Sequence, residues 1–194
     1  MEPITGILLA GGKSSRMGKQ KALMPFNGAP MASYPVNILM QLCSPVFGII
    51  NDVNIVETLG IKAYPDIIQN VGPLGGLHAA CTYSPTEQFV VLACDTPLLS
   101  ATVVDRLLEA RTGRCIVVPS IGKKLHPLIG VYSKSLVAEI ESFLANGERS
   151  LRMFLHTQEP LIIDVSEGDE ACSSQFTNIN TQEEFEQASA LVRK

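Results

Sequence analysis

Short apolar runs of strand length alternate along the chain with longer segments whose apolar residues recur at helical spacing. Thr5–Ala10 (TGILLA) predicts the first strand. Met31–Leu42 predicts a helix, Pro45–Ile50 a strand, Val53–Leu59 a short helix and Ile61–Tyr64 a short strand. Leu74–Tyr83 predicts the next helix and Gln88–Ala93 (QFVVLA) the next strand. A helix over Thr102–Ala110 follows, with Ser100 placed as its N-cap, and then a strand over Cys115–Pro119. Strands that are apolar throughout, set between helices, indicate a parallel sheet covered on both faces.

Beyond Pro119 the pattern loosens. Pro127–Tyr132 predicts a strand, Lys134–Ala145 and Ser150–Leu155 predict helices, and Leu161–Val165 predicts a short strand. Ser166–Ser174 is polar and reads as a loop. Thr181-Gln-Glu-Glu184 is a capping box that opens a last helix. Repeats and low-complexity tracts are absent. The expected arrangement is one α/β domain over residues 1–194, with the C-terminal third as an insertion or flap.

Composition narrows the function. The chain has 194 residues, 46% of them hydrophobic, and a formal net charge of −4. That balance argues against a general nucleic-acid binder, so any basic site must be local. Five cysteines, Cys43, Cys81, Cys94, Cys115 and Cys172, are scattered and form no C-x-x-C pair. They suit a reducing, cytoplasmic setting rather than a disulfide framework or a structural zinc site. No apolar run reaches the roughly 18 residues of a membrane span, and the N-terminus has no basic segment of a signal peptide.

The exception to this blandness is Leu8–Leu23, LLAGGKSSRMGKQKAL. It leaves an apolar strand, uses two adjacent glycines, and sets Lys13, Arg16, Lys19 and Lys21 within nine residues. It is not a Walker A loop: Gly12 and Gly18 enclose five residues rather than four, and Gln20 follows Lys19. It is not a dinucleotide fingerprint either, because Gly11 and Gly12 are adjacent. The physical content remains. Glycines let backbone N–H groups approach a ligand, Ser14 and Ser15 keep the loop open, and cations neutralise a polyphosphate. A solvated basic turn is the alternative.

The run L-A-G-G-x-S-x-R-M-G-x-x-K-A-L resembles the signature loop of nucleotidyltransferases. Further matches are Pro65-Asp66, Gly72-Pro73-Leu74-Gly75-Gly76-Leu77, Cys94-Asp95-Thr96-Pro97, His126 to Tyr132, Gly147 to Arg152, and Phe176-x-Asn178-Ile179-Asn180-Thr181. Together they are similar to the molybdenum cofactor guanylyltransferase family, which attaches GMP to molybdopterin. The resemblance departs at Gln20, where the family usually has Asp.

That resemblance implies a three-layer, Rossmann-like nucleotidyltransferase fold, with GTP and molybdopterin as substrates and Mg²⁺ as cofactor. It also implies transient contact with cofactor-delivering or molybdoenzyme-maturation proteins. Leu9, Ala10 and Gly11 would hold the base and ribose side of GTP, and Gly12 would open the loop to the phosphates. Arg16 would clamp the β- and γ-phosphates, and Lys21 would neutralise charge at the α-phosphate. Asp95, emerging from FVVLA at a strand's carboxyl end, would hold the metal; otherwise it is a turn residue before Pro97. Asn51 and Asp66 would contact the nucleotide, or else act as a helix cap and a loop residue. Arg149, Asn178 and Asn180 would meet the acceptor, against a solvated helix face for Arg149. His126 reads as a loop histidine satisfied by its neighbours. The alternatives are a cytidylyltransferase, another nucleotidyltransferase with a phosphorylated acceptor, or a non-catalytic nucleotide-binding domain.

Overall fold

The computed structural model describes residues 2–11, 20–166, 174–179 and 181–192. The apolar runs form strands β1 (Thr5–Leu9), β4 (Val46–Ile49), β5 (Ala63–Tyr64), β6 (Gln88–Ala93), β7 (Ile116–Ile121), β9 (Ile129–Ser133) and β10 (Leu161–Asp164). Two minor hairpins add β2 (Pro25–Phe26) with β3 (Ala29–Pro30), and β8 (Lys124–Leu125) against β7. The helices are α1 (Ser33–Leu42), α2 (Val53–Leu59), α3 (Pro73–Tyr83), α4 (Ala101–Glu109), α5 (Val137–Ala145), α6 (Leu151–Thr157) and α7 (Gln182–Val192).

The main sheet runs β10-β7-β9-β6-β1-β4-β5, with β8 on β7. β1 pairs in parallel with both β4 and β6, so the strand order reverses direction around it. Ligands of open α/β sheets bind at the carboxyl ends of the strands beside such a reversal. The sheet is mostly parallel, as the unbroken apolar strands predict. Side chains alternate between its two covered faces. Leu8, Val90 and Leu92 pack with α1 and α4; Ile7, Phe89 and Val91 pack with α3, α5 and α6.

Two sequence expectations change. The expected C-terminal flap contributes instead to the sheet interior: β9 lies between β6 and β7, antiparallel to both. An apolar strand covered on both faces reads the same in either direction, so its polarity is not legible. Ser100 does stand at the N-cap of α4, but its side chain makes no capping bond; its N–H donates to Gln175 Oε1 at 3.2 Å. The Thr181 capping box is present in both directions. Glu184 N–H donates to Thr181 Oγ1 at 3.1 Å, and Thr181 N–H donates to Glu184 Oε2 at 2.9 Å. The helix it starts lays Ala188 beside Phe26, Met31 and Ile179 in a small third cluster. Most of the expected 166–174 loop, residues 167–173, lies outside the described residues.

Candidate active site

Four strand ends build one side of the crevice. β1 delivers Leu9, Ala10 and Gly11, β4 delivers Asn51 and Asp52, β5 delivers Asp66, and β6 delivers Asp95. The short 3₁₀ turn at Lys21–Leu23 brings the chain back beside them after the glycine-rich loop. Gly12 and Arg16 lie outside the described residues, as does Asn180.

Lys21 Nζ donates to Asp95 Oδ2 at 2.8 Å, across a separation of 74 residues. Each side chain is only 15% exposed, so the pair sits where charge is weakly screened. Among the described residues, Asp95 Oδ1 is buried and has no hydrogen-bond partner. A buried acceptor left without a donor costs roughly 1–3 kcal/mol, and a cation would satisfy it. Among the described residues no cluster of three or more His, Cys, Asp or Glu could cage a metal. A lone carboxylate still fits a hard divalent ion that takes its other ligands from phosphate oxygens and water.

Asn51 and Asp66 form a second pair. Asn51 Nδ2 donates to Asp66 Oδ2 at 2.8 Å, and the Asp66 N–H donates to Asn51 Oδ1 at 3.0 Å. Asp66 flanks the end of β1: a Cβ on Gly11 would stand 3.5 Å from its Oδ2. From beneath, α3 closes the same corner. Gly72, its N-cap, has φ of 66°, and Gly75 approaches Ile68 O so closely that a Cβ would lie 2.7 Å away. These glycines are required by backbone conformation and helix packing. Gln20 Nε2 donates to Asp52 Oδ2, and Asp52 Oδ1 caps α2 by accepting from the Asn54 N–H at 2.9 Å. The Gln20 departure thus ties the returning loop to the corner holding Asn51.

Asn178 is exposed and adjoins Ile179, whose N–H donates to Asp95 O at 3.1 Å. The 174–179 segment is therefore fastened to the metal-candidate residue itself. Arg149 goes elsewhere. It is exposed, and its Nη1 donates to Asn70 O at 3.5 Å, in the loop between Asp66 and α3 rather than at Asn178. His126 stands in the turn between β8 and β9, as its loop reading expects. It is buried against Phe176, with ring centroids 4.8 Å apart. Among the described residues, its ring takes no hydrogen bond. Burial, with the charges of Lys124 and Arg152, pulls its pKa down to about 4, so it is neutral near pH 7.

Cys94 adjoins Asp95, but its pKa is pushed up to about 12 by burial and then by the Asp95 charge, against the pull of Lys21. A thiol held protonated is a poor nucleophile. Among the described residues the site therefore offers the Lys21 cation beside Asp95 and the Asn51–Asp66 pair at the end of β4 and β5, which suits direct transfer of a phosphoryl-linked group.

The model of the MobA-like NTP transferase domain matches residues 6–161. A "Molybdenum cofactor guanylyltransferase" of Yersinia pestis is 32% identical over 93% of this chain and 93% of its own length. A relative from Flavobacterium johnsoniae, named a probable molybdenum cofactor guanylyltransferase, is 31% identical over 95% of this chain and 96% of its own. Among solved structures, the molybdopterin-guanine dinucleotide biosynthesis protein A of Archaeoglobus fulgidus superposes with a TM-score of 0.78 at 22% identity. The match covers 98% of this chain and 99% of that one.

Proposed function

The chain belongs to the MobA-like NTP transferase family, and from that premise we propose that it transfers GMP from GTP to molybdopterin, giving the guanine dinucleotide cofactor and pyrophosphate. It is a nucleotidyltransferase whose curated relatives, matched over nearly their whole length, carry that activity in their names. The Lys21–Asp95 pair at the β1–β6 crevice carries the reading for this chain. It supplies a cation for the α-phosphate and a carboxylate for the metal beside one strand reversal.

The residue roles follow from the family resemblance, supported for the described residues by where they stand. The backbone at Leu9, Ala10 and Gly11 holds the nucleoside. Asp66, kept in orientation by Asn51, accepts from guanine N1–H and N2–H₂, donors that cytosine does not present in that pattern. Gly12 and Arg16 serve the phosphates, with Arg16 drawing charge toward departing pyrophosphate. Lys21 moves from Asp95 to the α-phosphate. Asp95 holds Mg²⁺, which when bound neutralises charge on the triphosphate. Asn178 and Asn180 orient the acceptor so that its phosphate oxygen lines up with the α-phosphorus.

Residues 1–194 act as one nucleotidyltransferase domain, the N-terminal part binding nucleotide and the C-terminal part adding the acceptor site. Among the described residues no helix is long and apolar enough to cross a membrane. The same reading gives it a cytoplasmic setting and brief contact with cofactor-delivering or molybdoenzyme-maturation proteins. The test is to present the protein with Mg²⁺, equimolar GTP and CTP, and molybdopterin. Guanine dinucleotide and pyrophosphate are the expected products; cytosine dinucleotide, or neither, refutes the assignment.

A further inference from the structure

A cavity of about 380 Å³ opens where the β7–β8 hairpin, the turn before β9 and the 174–179 segment meet. Ile121 and Phe176 give it apolar wall, while Lys124, His126 and Asn178 line it with polar groups. Glu184 also faces it, but is engaged in the Thr181 capping box. His126 is the unusual member. It is 8% exposed, rests on the Phe176 ring, and takes no hydrogen bond from any described residue. A neutral imidazole carries one donor and one acceptor. Both ring positions are open to a ligand in the cavity, which can meet one donor and one acceptor.

The cavity lies beside the reaction centre. β6 and β9 pair from Gln88↔Ser133 to Leu92↔Ile129, and the Ala93 N–H extends the ladder to Leu128 O at 3.0 Å. The chain thus reaches His126 at the strand end that bears Asp95. From the other wall, the Ile179–Asp95 backbone bond fixes Asn178 to the same point. Lys124 lines the cavity on the His126 side and Glu184 faces it from the last helix, with Arg152 also near enough to act on His126. A flat heterocycle with hydrogen-bonding edges, joined to an anionic chain, matches these walls.

We infer that His126 is a specificity-determining residue that hydrogen-bonds the edge of the acceptor's pterin ring, which packs on Phe176 with Lys124 at the mouth. The inference rests on the proposed guanylyl transfer, since it names the site for that reaction's acceptor. It gives His126 a binding role, with no proton transferred during turnover.

The experiment uses the full chain labelled with ¹⁵N-histidine, the His126 signals being assigned by their loss in His126→Gln. Adding molybdopterin is expected to shift the His126 imidazole nitrogens, and adding Mg·GTP alone to leave them in place. Unmoved signals with molybdopterin, or movement with GTP alone, overturn the inference. In steady state, His126→Ala is expected to raise the KM for molybdopterin about tenfold or more and to leave the KM for GTP unchanged, with His126→Gln restoring part of the loss. An unchanged pterin KM overturns the inference while leaving guanylyl transfer standing. A wild-type protein that forms no dinucleotide defeats the transfer reading, and the ¹⁵N titration still scores His126 by itself.

Discussion

Lys21 Nζ and Asp95 Oδ2 stand 2.8 Å apart, and on the proposed reading each would release the other when a nucleotide arrives. The pair keeps two mostly buried charges neutral. Its geometry is incomplete, because among the described residues Asp95 Oδ1 is buried without a donor. A bound metal–triphosphate would complete both halves, Lys21 serving the phosphate and Asp95 holding the metal. Site charges poised this way favour the bound charge distribution without large reorganisation of the fold.

Base selection follows from the Asn51–Asp66 pair. On the proposed reading Asp66→Ala removes the acceptor for guanine, and it is expected to raise the KM for GTP about tenfold, with less effect on CTP, consistent with ~1–3 kcal/mol for a good base contact. Asn51→Ala, which frees Asp66 to turn, is expected to act in the same direction and more weakly. Competition assays with both triphosphates measure it. A GTP-to-CTP preference that Asp66→Ala leaves untouched would move base reading to another residue.

Thiol chemistry separates direct transfer from a covalent enzyme intermediate. Cys94, held up to about 12, is expected to resist alkylation near pH 8, while exposed Cys115 reacts. Cys94→Ala is expected to retain turnover within a few-fold, since the thiol carries no bond-making step. Peptide mapping after brief iodoacetamide treatment, together with kcat of the variant, checks both. Loss of turnover by a hundredfold in a folded Cys94→Ala protein would refute direct transfer.

Acid sensitivity follows from His126. Its ordinary value is 6.5, and in the fold burial, Lys124 and Arg152 hold it near 4. Between these values the unfolded chain binds a proton that folded His126 does not. Its contribution to stability is therefore present above about pH 6.5 and is lost as pH falls toward 4. Urea unfolding at about pH 7, 6 and 5 is expected to show a fall in stability that is shallower in His126→Asn. Parallel profiles would mean that other groups set the slope.

The parts of this site legible in the sequence are those fixed by strand ends. Asp95 follows FVVLA and the glycine-rich loop follows TGILLA, so the parallel-sheet rule places both at one edge. The contacts that join Gln20 to Asp52, Asn51 to Asp66 and Ile179 to Asp95 were not legible, because each is set by tertiary docking. β9 shows the same limit: its apolar run announces a strand and not its direction. The β2–β3 hairpin is a different case. Asn27 and Gly28, with φ of 46° and 88°, are the residues such a turn demands, but two-residue strands give no alternation to notice. His126 could be read only once Phe176 was seen across the cavity.

The most direct test is a double-mutant cycle between Lys21→Ala and Asp95→Asn, read as the rate of pyrophosphate release with Mg·GTP and molybdopterin. Each single change is expected to cost about 10²–10³ in kcat, the scale of losing one contact to transition-state charge, while circular dichroism stays that of the wild type. If both residues act through one metal-bound triphosphate, the double variant will be little worse than the worse single one. Losses that multiply in full, or an Asp95→Asn protein with near-normal turnover, would contradict a shared phosphate site.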